Sequence, residues 1–417
     1  MGRAMTETAT DLRSDLASFP TARDPECPFD PPAEYADLRE QEGTPSLACP
    51  VGVNARVVSR YADVRAALAD PNLSSHAAPS THVVPGGLLD RPVAPGSLLN
   101  MDGAGHARLR RLLTPEFTVK RIQALRPYVQ GLVDDHLDAL LEHGGPVDLV
   151  EHFALPIPSL VICELLGVDY GDRDRFQEQT AVLIGTNSDP AALEQANLEV
   201  VGFMTQLVLT KLAAPGDDLL GRLIVRAGEN GQELSVEELV TLGITLLIAG
   251  HETTANMIGL STLALLRQPD QLAALRADPG LAGTAVDEML RYLSIVQFGV
   301  LRQATGDVTV GDETIKAGEW LVAALSAGNR DESVFPDPDR IDLRRGATAH
   351  LAFGYGIHQC LGQQLARVEL QEVFVRLHQR IPTLRLAVPF EDVEFKNDAL
   401  VYGVRALPVT WDEEDNR

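Results

Sequence analysis

Apolar residues recur at every third or fourth position along most of the chain, and this spacing predicts amphipathic helices. The pattern holds over ten segments, with one break near Thr114 and Pro115. The predicted helices span residues 32–41, 61–69, 104–143, 151–167, 171–186, 190–213, 216–228, 235–267, 283–293 and 363–380. Helices therefore dominate the predicted fold.

The longest predicted helix has a clear beginning. Ser235 stands three residues before Glu238, and such a pair forms a capping box in which each side chain accepts a hydrogen bond from the other residue's backbone N–H. The helix should end ahead of Pro269. At about 1.5 Å per residue it would be roughly 48 Å long, enough to cross the whole molecule.

The predicted strands are short, and they come from both ends of the chain. β-branched and alternating apolar residues predict strands near 51–59, 308–310, 314–315, 320–325, 385–388 and 400–411. Residues 71–99 hold five prolines, three glycines and no aromatic residue, and a loop of that length is usually functional or disordered. The predicted fold class is mainly α with a smaller β-rich region (α+β).

Length and composition predict one folded body. The 417-residue chain has no Gly/Ser linker and no internal repeat, so we expect a loose lead-in at 1–30 and a single domain at 31–417. A net charge of −24 argues against a nucleic-acid partner. The N-terminus lacks the apolar core of a signal peptide, and the most apolar stretch, 155–168, is too short to span a bilayer. We therefore expect no membrane association.

One of the four cysteines has an unusual setting. Cys27, Cys49 and Cys163 are widely spaced and suggest no disulfide framework, which predicts a cytoplasmic protein. Cys360 lies in a glycine-punctuated loop directly before the predicted helix 363–380. The N-terminus of a helix offers partial positive charge and free N–H groups, which stabilise a thiolate. A cysteine so placed suits the axial position of a haem iron.

The loop around Cys360 resembles the haem-binding loop of cytochromes P-450. The shared positions are Phe353, Gly354, Gly356, His358, Cys360 and Gly362. The resemblance extends over about residues 30–411 and is closest to the soluble actinobacterial members that ferredoxins serve. It implies a trigonal prism of about a dozen helices around a buried haem b, with Cys360 as the ligand of the iron.

Residues 249–255, in the middle of the longest predicted helix, read A-G-H-E-T-T-A. His251 and the glutamate after it open like a zinc-protease motif, but Ala255 occupies the place of the second histidine. A glycine followed by two threonines weakens a helix locally, and such a site can open into a bulge.

The same segment resembles the oxygen-activation motif of the cytochromes P-450. The resemblance places Ala249 and Gly250 beside the haem. It implies that Glu252 supplies protons and that Thr253 forms a hydrogen bond with bound dioxygen.

Two propionates of a haem require paired cationic donors. His106 and Arg110 are four residues apart, so both can lie on one face of a helix. They fit the H-x-x-x-R motif of the family, although G-A-G replaces the commoner P-P-E ahead of the histidine. Arg302 and His358 match the positions of the other propionate ligands in the family.

Glu288 and Arg291 lie three residues apart on one helix face, where a carboxylate and a guanidinium can pair. They resemble the buried E-x-x-R pair of the cytochromes P-450, which an arginine from the segment before the cysteine loop joins. Residues 335–340 match that segment, and the resemblance implies Arg340 as the third member of a structural triad that holds the cysteine loop.

The resemblance implies a haem-thiolate monooxygenase that inserts one oxygen atom of O2 into an apolar small molecule, by hydroxylation or epoxidation. Electrons would come from NAD(P)H through a ferredoxin reductase and a [2Fe-2S] or other small ferredoxin, docked on a monomer at Arg108 and Arg111. The expected pocket walls are mostly aliphatic, which suggests a polyketide, macrolide or terpenoid of secondary metabolism, as in antibiotic biosynthesis. They include Val84, Leu88, Ile248, Ile295, Val296, Phe298 and Leu400.

Three other functions stay open at this point. A related nitric oxide reductase or a peroxygenase would keep Cys360 but would not need the acid and the alcohol at Glu252 and Thr253. A haem-based sensor or carrier would not need a long loop and paired helices over the iron.

Overall fold

Helices dominate the computed structural model, which describes residues 17–49, 52–75, 93–168, 170–172, 179, 182, 190–397 and 399–412. These residues form twelve α-helices and ten short strands, and the mainly α fold class is confirmed. The helices are α1 Glu34–Glu40, α2 Tyr61–Ala69, α3 Gly103–Leu113, α4 Val119–His143, α5 Pro156–Leu166, α6 Pro190–Ala213, α7 Leu219–Glu229, α8 Val236–Leu266, α9 Pro269–Ala277, α10 Ala282–Leu293, α11 Leu325–Gly328 and α12 Gln363–Arg380. Most of the helix predicted at 171–186 lies outside the described residues.

Three small sheets make up the β-rich part. The strands are β1 Ser46–Ala48, β2 Asn54–Val58, β3 Leu73–Ser74, β4 Val147–Asp148, β5 Val300–Ala304, β6 Val308–Val310, β7 Glu313–Ile315, β8 Trp320–Ala323, β9 Arg385–Leu386 and β10 Pro408–Thr410. A five-stranded sheet has the order β1-β2-β8-β5-β3, in which β2 and β8 are parallel with Val57 opposite Val322. A three-stranded sheet has the order β4-β10-β9, and β6 pairs with β7. Segments from both ends of the chain thus meet in the sheets, as the sequence predicted.

Helix α8 is the longest helix among the described residues and packs against several others. The capping box predicted at its start is present: Ser235 Oγ accepts from Glu238 N at 3.1 Å, and Glu238 Oε2 accepts from Ser235 N at 2.9 Å. The 31-residue helix contacts α5, α6, α10 and α12, and every residue from 254 to 265 is buried. The possible bulge near Gly250 is not found, because the α-helix continues without interruption through this region.

Part of the expected lead-in belongs to the folded body. Residues 1–16 lie outside the described residues, but Phe19 is buried beside Tyr35 and Arg23 is 8% exposed. Arg23 Nε donates to Gln297 Oε1 at 3.3 Å, and its guanidinium carbon lies 3.9 Å from the centre of the Tyr402 ring. Several residues of the expected lead-in are therefore buried by contacts with distant parts of the chain, and the domain boundary at residue 30 stays a prediction.

None of the helices that the structure describes combines the length and the hydropathy that a bilayer-spanning helix needs.

Candidate active site

The loop that carries Cys360 is a tight backbone structure fixed on two sides. Cys360 N donates to Phe353 O at 2.9 Å, which closes the loop just before α12. Gly356 has a φ of +76°, and a Cβ there would lie 2.4 Å from the carbonyl oxygen of Leu68 in α2. Only glycine combines that φ with so close an approach. The loop is thus held against α2, with the cysteine at the N-terminus of α12.

Opposing influences act on the Cys360 thiol. Burial raises the pKa of the thiol, because a thiolate loses its hydration in the interior. The N–H groups of Gly362 and Gln363, at the beginning of α12, and the charges of Arg110 and Arg367 act in the opposite direction. The protein therefore places its compensating dipoles and charges where a thiolate ligand would need them.

The four predicted propionate ligands are in the described structure, and two histidines among them are in contact. His106 and His358 have ring centres 4.3 Å apart. Burial lowers the pKa of His106 to about 4, and His106 Nε2 is a buried atom with no hydrogen-bond partner in the described structure. The guanidinium of Arg110 donates to the carbonyl oxygen of Gln359, next to Cys360. His106, Arg110 and His358 therefore converge beside the cysteine loop.

Arg302 is a buried cation on β5. It is 4% exposed, its Nη1 donates to Leu301 O at 2.8 Å, and burial lowers the pKa of the guanidinium to about 10. The carboxylate of Asp102 is its opposing charge. Asp102 Oδ1 also lies 3.0 Å from His358 Nε2, and Asp102 Oδ2 accepts from Ser74 Oγ at 2.5 Å. Asp102 was not among the predicted site residues, although it immediately precedes the helix of His106 and Arg110, and an acidic residue so close to them was a signal.

The middle of α8 has one face that is not buried. Ala249 is exposed and Ile248, Glu252 and Thr253 are half-buried, although the helix is fully buried one turn later. Thr253 Oγ1 donates to Ala249 O at 2.7 Å, so its oxygen still has a lone pair free to accept a hydrogen bond. The predicted acid and alcohol thus lie on the accessible face of α8.

Burial raises the pKa of Glu252 to about 7, and the charge of Lys396 acts against that rise. The segment of Lys396 lies against α8: Lys396 N donates to Gly403 O at 2.9 Å, and a Cβ on Gly403 would lie 2.0 Å from Asn256 Oδ1. Asn256 Nδ2 in turn donates to the carbonyl oxygen of Glu252 at 2.9 Å. Lys396 was not among the predicted site residues, because no local pattern connects it with residue 252.

His251 lies on the buried side of the same stretch of α8. It is 3% exposed and bonds to the carbonyl oxygen of Leu155, ahead of α5, and burial lowers its pKa to about 4. Within the described ranges, no group of three or more histidine, cysteine or acidic side chains could hold a metal ion.

Glu288 and Arg291 form a fully buried pair on α10. Arg291 Nε donates to Glu288 Oε2 at 2.8 Å and Arg291 Nη2 donates to Glu288 Oε1 at 2.9 Å, and both side chains are 0% exposed. Arg291 Nη1 also donates to the carbonyl oxygens of Asn329 and Pro338. The pair thus binds the segment that leads to the cysteine loop.

The third arginine is Arg345, and the assignment of Arg340 was wrong. Arg345 Nε donates to Glu288 Oε1 at 3.1 Å, and its side chain is 11% exposed. Arg340 is 66% exposed and its guanidinium contacts Asp342 at 3.5 Å. Its contribution is its carbonyl oxygen, which accepts from Arg345 Nη2 at 2.9 Å. The backbone turns between residues 336 and 342 and directs the later arginine inward.

The expected pocket walls are only partly supported. Ile248, Val296 and Leu400 are half-buried, as residues beside an opening would be. Ile295 is 8% exposed in the main core, and Phe298 is 2% exposed in the cluster that contains Phe19 and Tyr35. Phe298 therefore packs in the core and not on a pocket wall. Val84 and Leu88 lie outside the described residues.

The two predicted docking arginines differ in their environment. Arg111 is exposed on α3. Arg108 forms an ion pair with Glu238 at the beginning of α8 and is 27% exposed. Arg108 therefore connects two helices and is not a free surface cation, which contradicts its assignment to docking.

The residues around Cys360 fit a haem. A Cβ on Gly354 or Gly362 would meet no atom within 4 Å, so there is room beside the cysteine. The buried Nε2 of His106 has no hydrogen-bond partner in the described structure, and the buried guanidinium of Arg302 could pair with a second carboxylate besides Asp102; propionates would satisfy both groups. Cys360 would hold the iron, and His106, Arg110, Arg302 and His358 would hold the propionates.

Comparisons with known proteins point to the same cofactor. Residues 281–401 match the cytochrome P-450 family. The chain is 46% identical over 409 residues to cytochrome P-450-SU2 of Streptomyces griseolus, covering 98% of this chain and 100% of the relative. It is 45% identical to a pentalenic acid synthase of Streptomyces avermitilis, covering 98% and 100%. A crystal structure of CYP105P1 in complex with filipin I matches with a TM-score of 0.88 at 45% identity, covering 96% and 100%.

The chain therefore belongs to the cytochrome P-450 family. It is a monooxygenase of that family, and its cofactor is haem b. The fold, the enzyme class and the cofactor that the resemblance implied are confirmed.

Proposed function

We propose that this monooxygenase takes electrons from a small ferredoxin and hydroxylates or epoxidises an apolar polyketide, macrolide or terpenoid. The observation that carries the proposal is the pair Glu252 and Thr253 on the open face of α8. A carboxyl and a hydroxyl at this place suit an enzyme that must deliver protons beside its cofactor.

The haem, when bound, supplies the iron at which dioxygen is activated. Glu252 can hold a proton on its carboxyl group up to about pH 7, because burial raises its pKa to that value. Lys396 favours the ionised form of Glu252 and so keeps the proton available for release. Thr253, whose own proton is committed to Ala249 O, would accept a hydrogen bond at the reacting centre.

Two facts support the substrate class. Besides Glu252 and Thr253, four exposed or half-buried residues assigned to the site are aliphatic, namely Ile248, Ala249, Val296 and Leu400. One relative is a pentalenic acid synthase, and one structural neighbour is in complex with filipin I. An apolar ligand would gain about 25 cal/mol for each Å² of apolar surface that it buries there.

The test is turnover with a surrogate ferredoxin, its reductase and NAD(P)H, on compounds first selected because they shift the Soret band. Product that carries an atom of labelled dioxygen supports the proposal. Turnover with hydrogen peroxide but none with NAD(P)H and ferredoxin would favour a peroxygenase, and NAD(P)H-driven loss of nitric oxide would favour a reductase. Haem binding without turnover in any assay would favour a sensor or carrier.

Thr253→Ala should bind haem and substrate normally but waste electrons. Without the hydroxyl, proton delivery is misdirected, so product per NAD(P)H should fall about tenfold or more while hydrogen peroxide accumulates. Proton-transfer groups contribute ~10²-fold or more, and water replaces the hydroxyl in part. Thr262→Ala is the matched control, because Thr262 makes the same bond to the carbonyl four residues earlier in α8 but is buried in the core. Equal product yield in Thr253→Ala and parent would remove Thr253 from the mechanism.

Ferredoxin docking is assigned to the exposed Arg111, beside the pair His106 and Arg110 on α3. On a chain of charge −24, a local cation would orient an acidic partner. Arg111→Glu should raise the ferredoxin concentration needed for half-maximal turnover several-fold and leave peroxide-driven turnover unchanged. Arg385→Glu, on the three-stranded sheet, is the control for charge alone. Loss of both activities in Arg111→Glu would mean that the arginine serves folding or haem binding.

The monomeric state and the cytoplasmic location stay predictions.

A further inference from the structure

A second polar network, separate from the triad of Glu288, joins α10 to α12 and the cysteine loop. Its centre is Asp287, one residue before Glu288. Arg367 Nε on α12 donates to Asp287 Oδ1 at 2.8 Å, and His350 Nε2 lies 3.4 Å from the same oxygen. His350 Nδ1 accepts from Ala352 N at 3.2 Å, so the ring proton is on Nε2, which lies near the carboxylate at 3.4 Å without forming a directed hydrogen bond. The three side chains are between 1% and 17% exposed, so water screens their charges little.

The network reaches Cys360 through Phe353. The guanidinium carbon of Arg367 lies 4.7 Å from the centre of the Phe353 ring. The centre of the His350 ring lies 5.4 Å from the same Phe353 ring centre. The carbonyl oxygen of Phe353 accepts the hydrogen bond from Cys360 N. Arg367 therefore contacts the side chain of Phe353, whose backbone carbonyl orients Cys360. A cation–π interaction holds the Arg367 guanidinium and the Phe353 ring together.

Arg367 also acts on Cys360 through its charge. Together with Arg110, it opposes the rise that burial causes in the pKa of the Cys360 thiol. Asp287 offsets part of that charge: burial would raise the pKa of Asp287, but its contacts with His350 and Arg367 keep it below the ordinary value. The net field at Cys360 depends on both members of this ion pair.

We propose that Arg367, held by Asp287 and His350, is a positioning residue that sets the electrostatic potential at Cys360 and thereby the reduction potential of the haem iron. The proposal rests on Cys360 as the iron ligand. Reduction adds one electron at a centre already bonded to an anionic sulfur, so a nearby positive charge favours the ferrous state. Removal of that charge favours the ferric state, and removal of the opposing carboxylate favours the ferrous state.

The experiment is a spectroelectrochemical titration of haem-loaded protein without substrate or ferredoxin. Arg367→Gln should raise the ratio of ferric to ferrous protein at a fixed potential three- to tenfold, where tenfold corresponds to 59 mV for one electron. Asp287→Asn should shift the ratio in the opposite direction. Arg367→Lys, which keeps the charge, should stay close to the parent. Arg376→Gln is the control, because it removes an arginine of the same helix that pairs with Asp134 and Glu372.

Shifts of opposite sign in Arg367→Gln and Asp287→Asn distinguish electrostatic tuning from looser packing. Loss of either partner loosens the same contact, so looser packing would shift the potential in the same direction in both variants. Shifts of equal sign in Arg367→Gln and Asp287→Asn, or none in either, would overturn the proposal. If Arg367→Gln fails to take up haem, the other two variants decide. A parent-like potential in Arg367→Lys together with a shift toward the ferrous state in Asp287→Asn supports the proposal. Any other combination of the two results overturns the proposal. A parent protein without the thiolate-type carbon monoxide spectrum would instead refute Cys360 as ligand, whatever the variants do.

Discussion

Cys360→Ser is expected to abolish the carbon monoxide spectrum of thiolate-ligated haem and to reduce turnover to background. The N–H groups of Gly362 and Gln363 and the charges of Arg110 and Arg367 stabilise an anion at this position. A serine hydroxyl keeps its proton at neutral pH and donates far less electron density to iron than a thiolate does. The measurement is the absorption spectrum of dithionite-reduced protein under carbon monoxide, together with haem content per chain.

Cys163→Ser is the matched control for that experiment. Cys163 is also a reduced cysteine and is fully buried, but it lies in α5 among core residues. Its variant should keep the parent spectrum, with at most a small loss of stability from placing a hydroxyl in an apolar environment. If Cys360→Ser retained the thiolate-type spectrum, another side chain would be the ligand, and the assignment of the site would be wrong.

The features predicted correctly are those that a short stretch of sequence determines. The capping box of Ser235 and Glu238 depends on four consecutive residues, and both of its hydrogen bonds are present. The bounds predicted for helix 190–213 agree with those of α6, which begins at a proline, a residue favoured in the first turn of a helix. The cysteine loop was found because its glycines, its histidine and the helix after it all lie within a few residues of Cys360.

The features missed depend on contacts between distant segments. Arg340, Arg344 and Arg345 lie within six residues, and composition cannot tell which of them reaches Glu288. The path of the backbone decides it, and that path is fixed when Asp342 N donates to Glu288 Oε1 at 2.9 Å. Lys396 approaches Glu252 for a similar reason: Lys396 and Gly403 reach α8 from a distant part of the chain.

The buried triad gives the other prediction with a large effect. Arg291→Ala would leave Glu288 fully buried without its bidentate partner and would leave the carbonyl oxygens of Asn329 and Pro338 without a donor. Breaking a buried ion pair in this way costs roughly 3–5 kcal/mol. We therefore expect Arg291→Ala to lose haem incorporation before any kinetic effect can be measured, as seen by haem content and by urea denaturation of the purified protein.

Arg345→Ala and Arg340→Ala test which arginine completes the triad. Arg345→Ala removes a hydrogen bond to a buried carboxylate and should cost about 1.5–3 kcal/mol, the range for bonds to charged groups. Arg340→Ala removes an exposed side chain and keeps the carbonyl that Arg345 uses, so its free energy of unfolding should stay within about 0.5 kcal/mol of the parent. The reverse order of the two effects would restore Arg340 as the third member. If neither variant changes the free energy of unfolding measurably, Arg291 alone neutralises Glu288. Removing a second partner costs little when the remaining partner still compensates the buried charge.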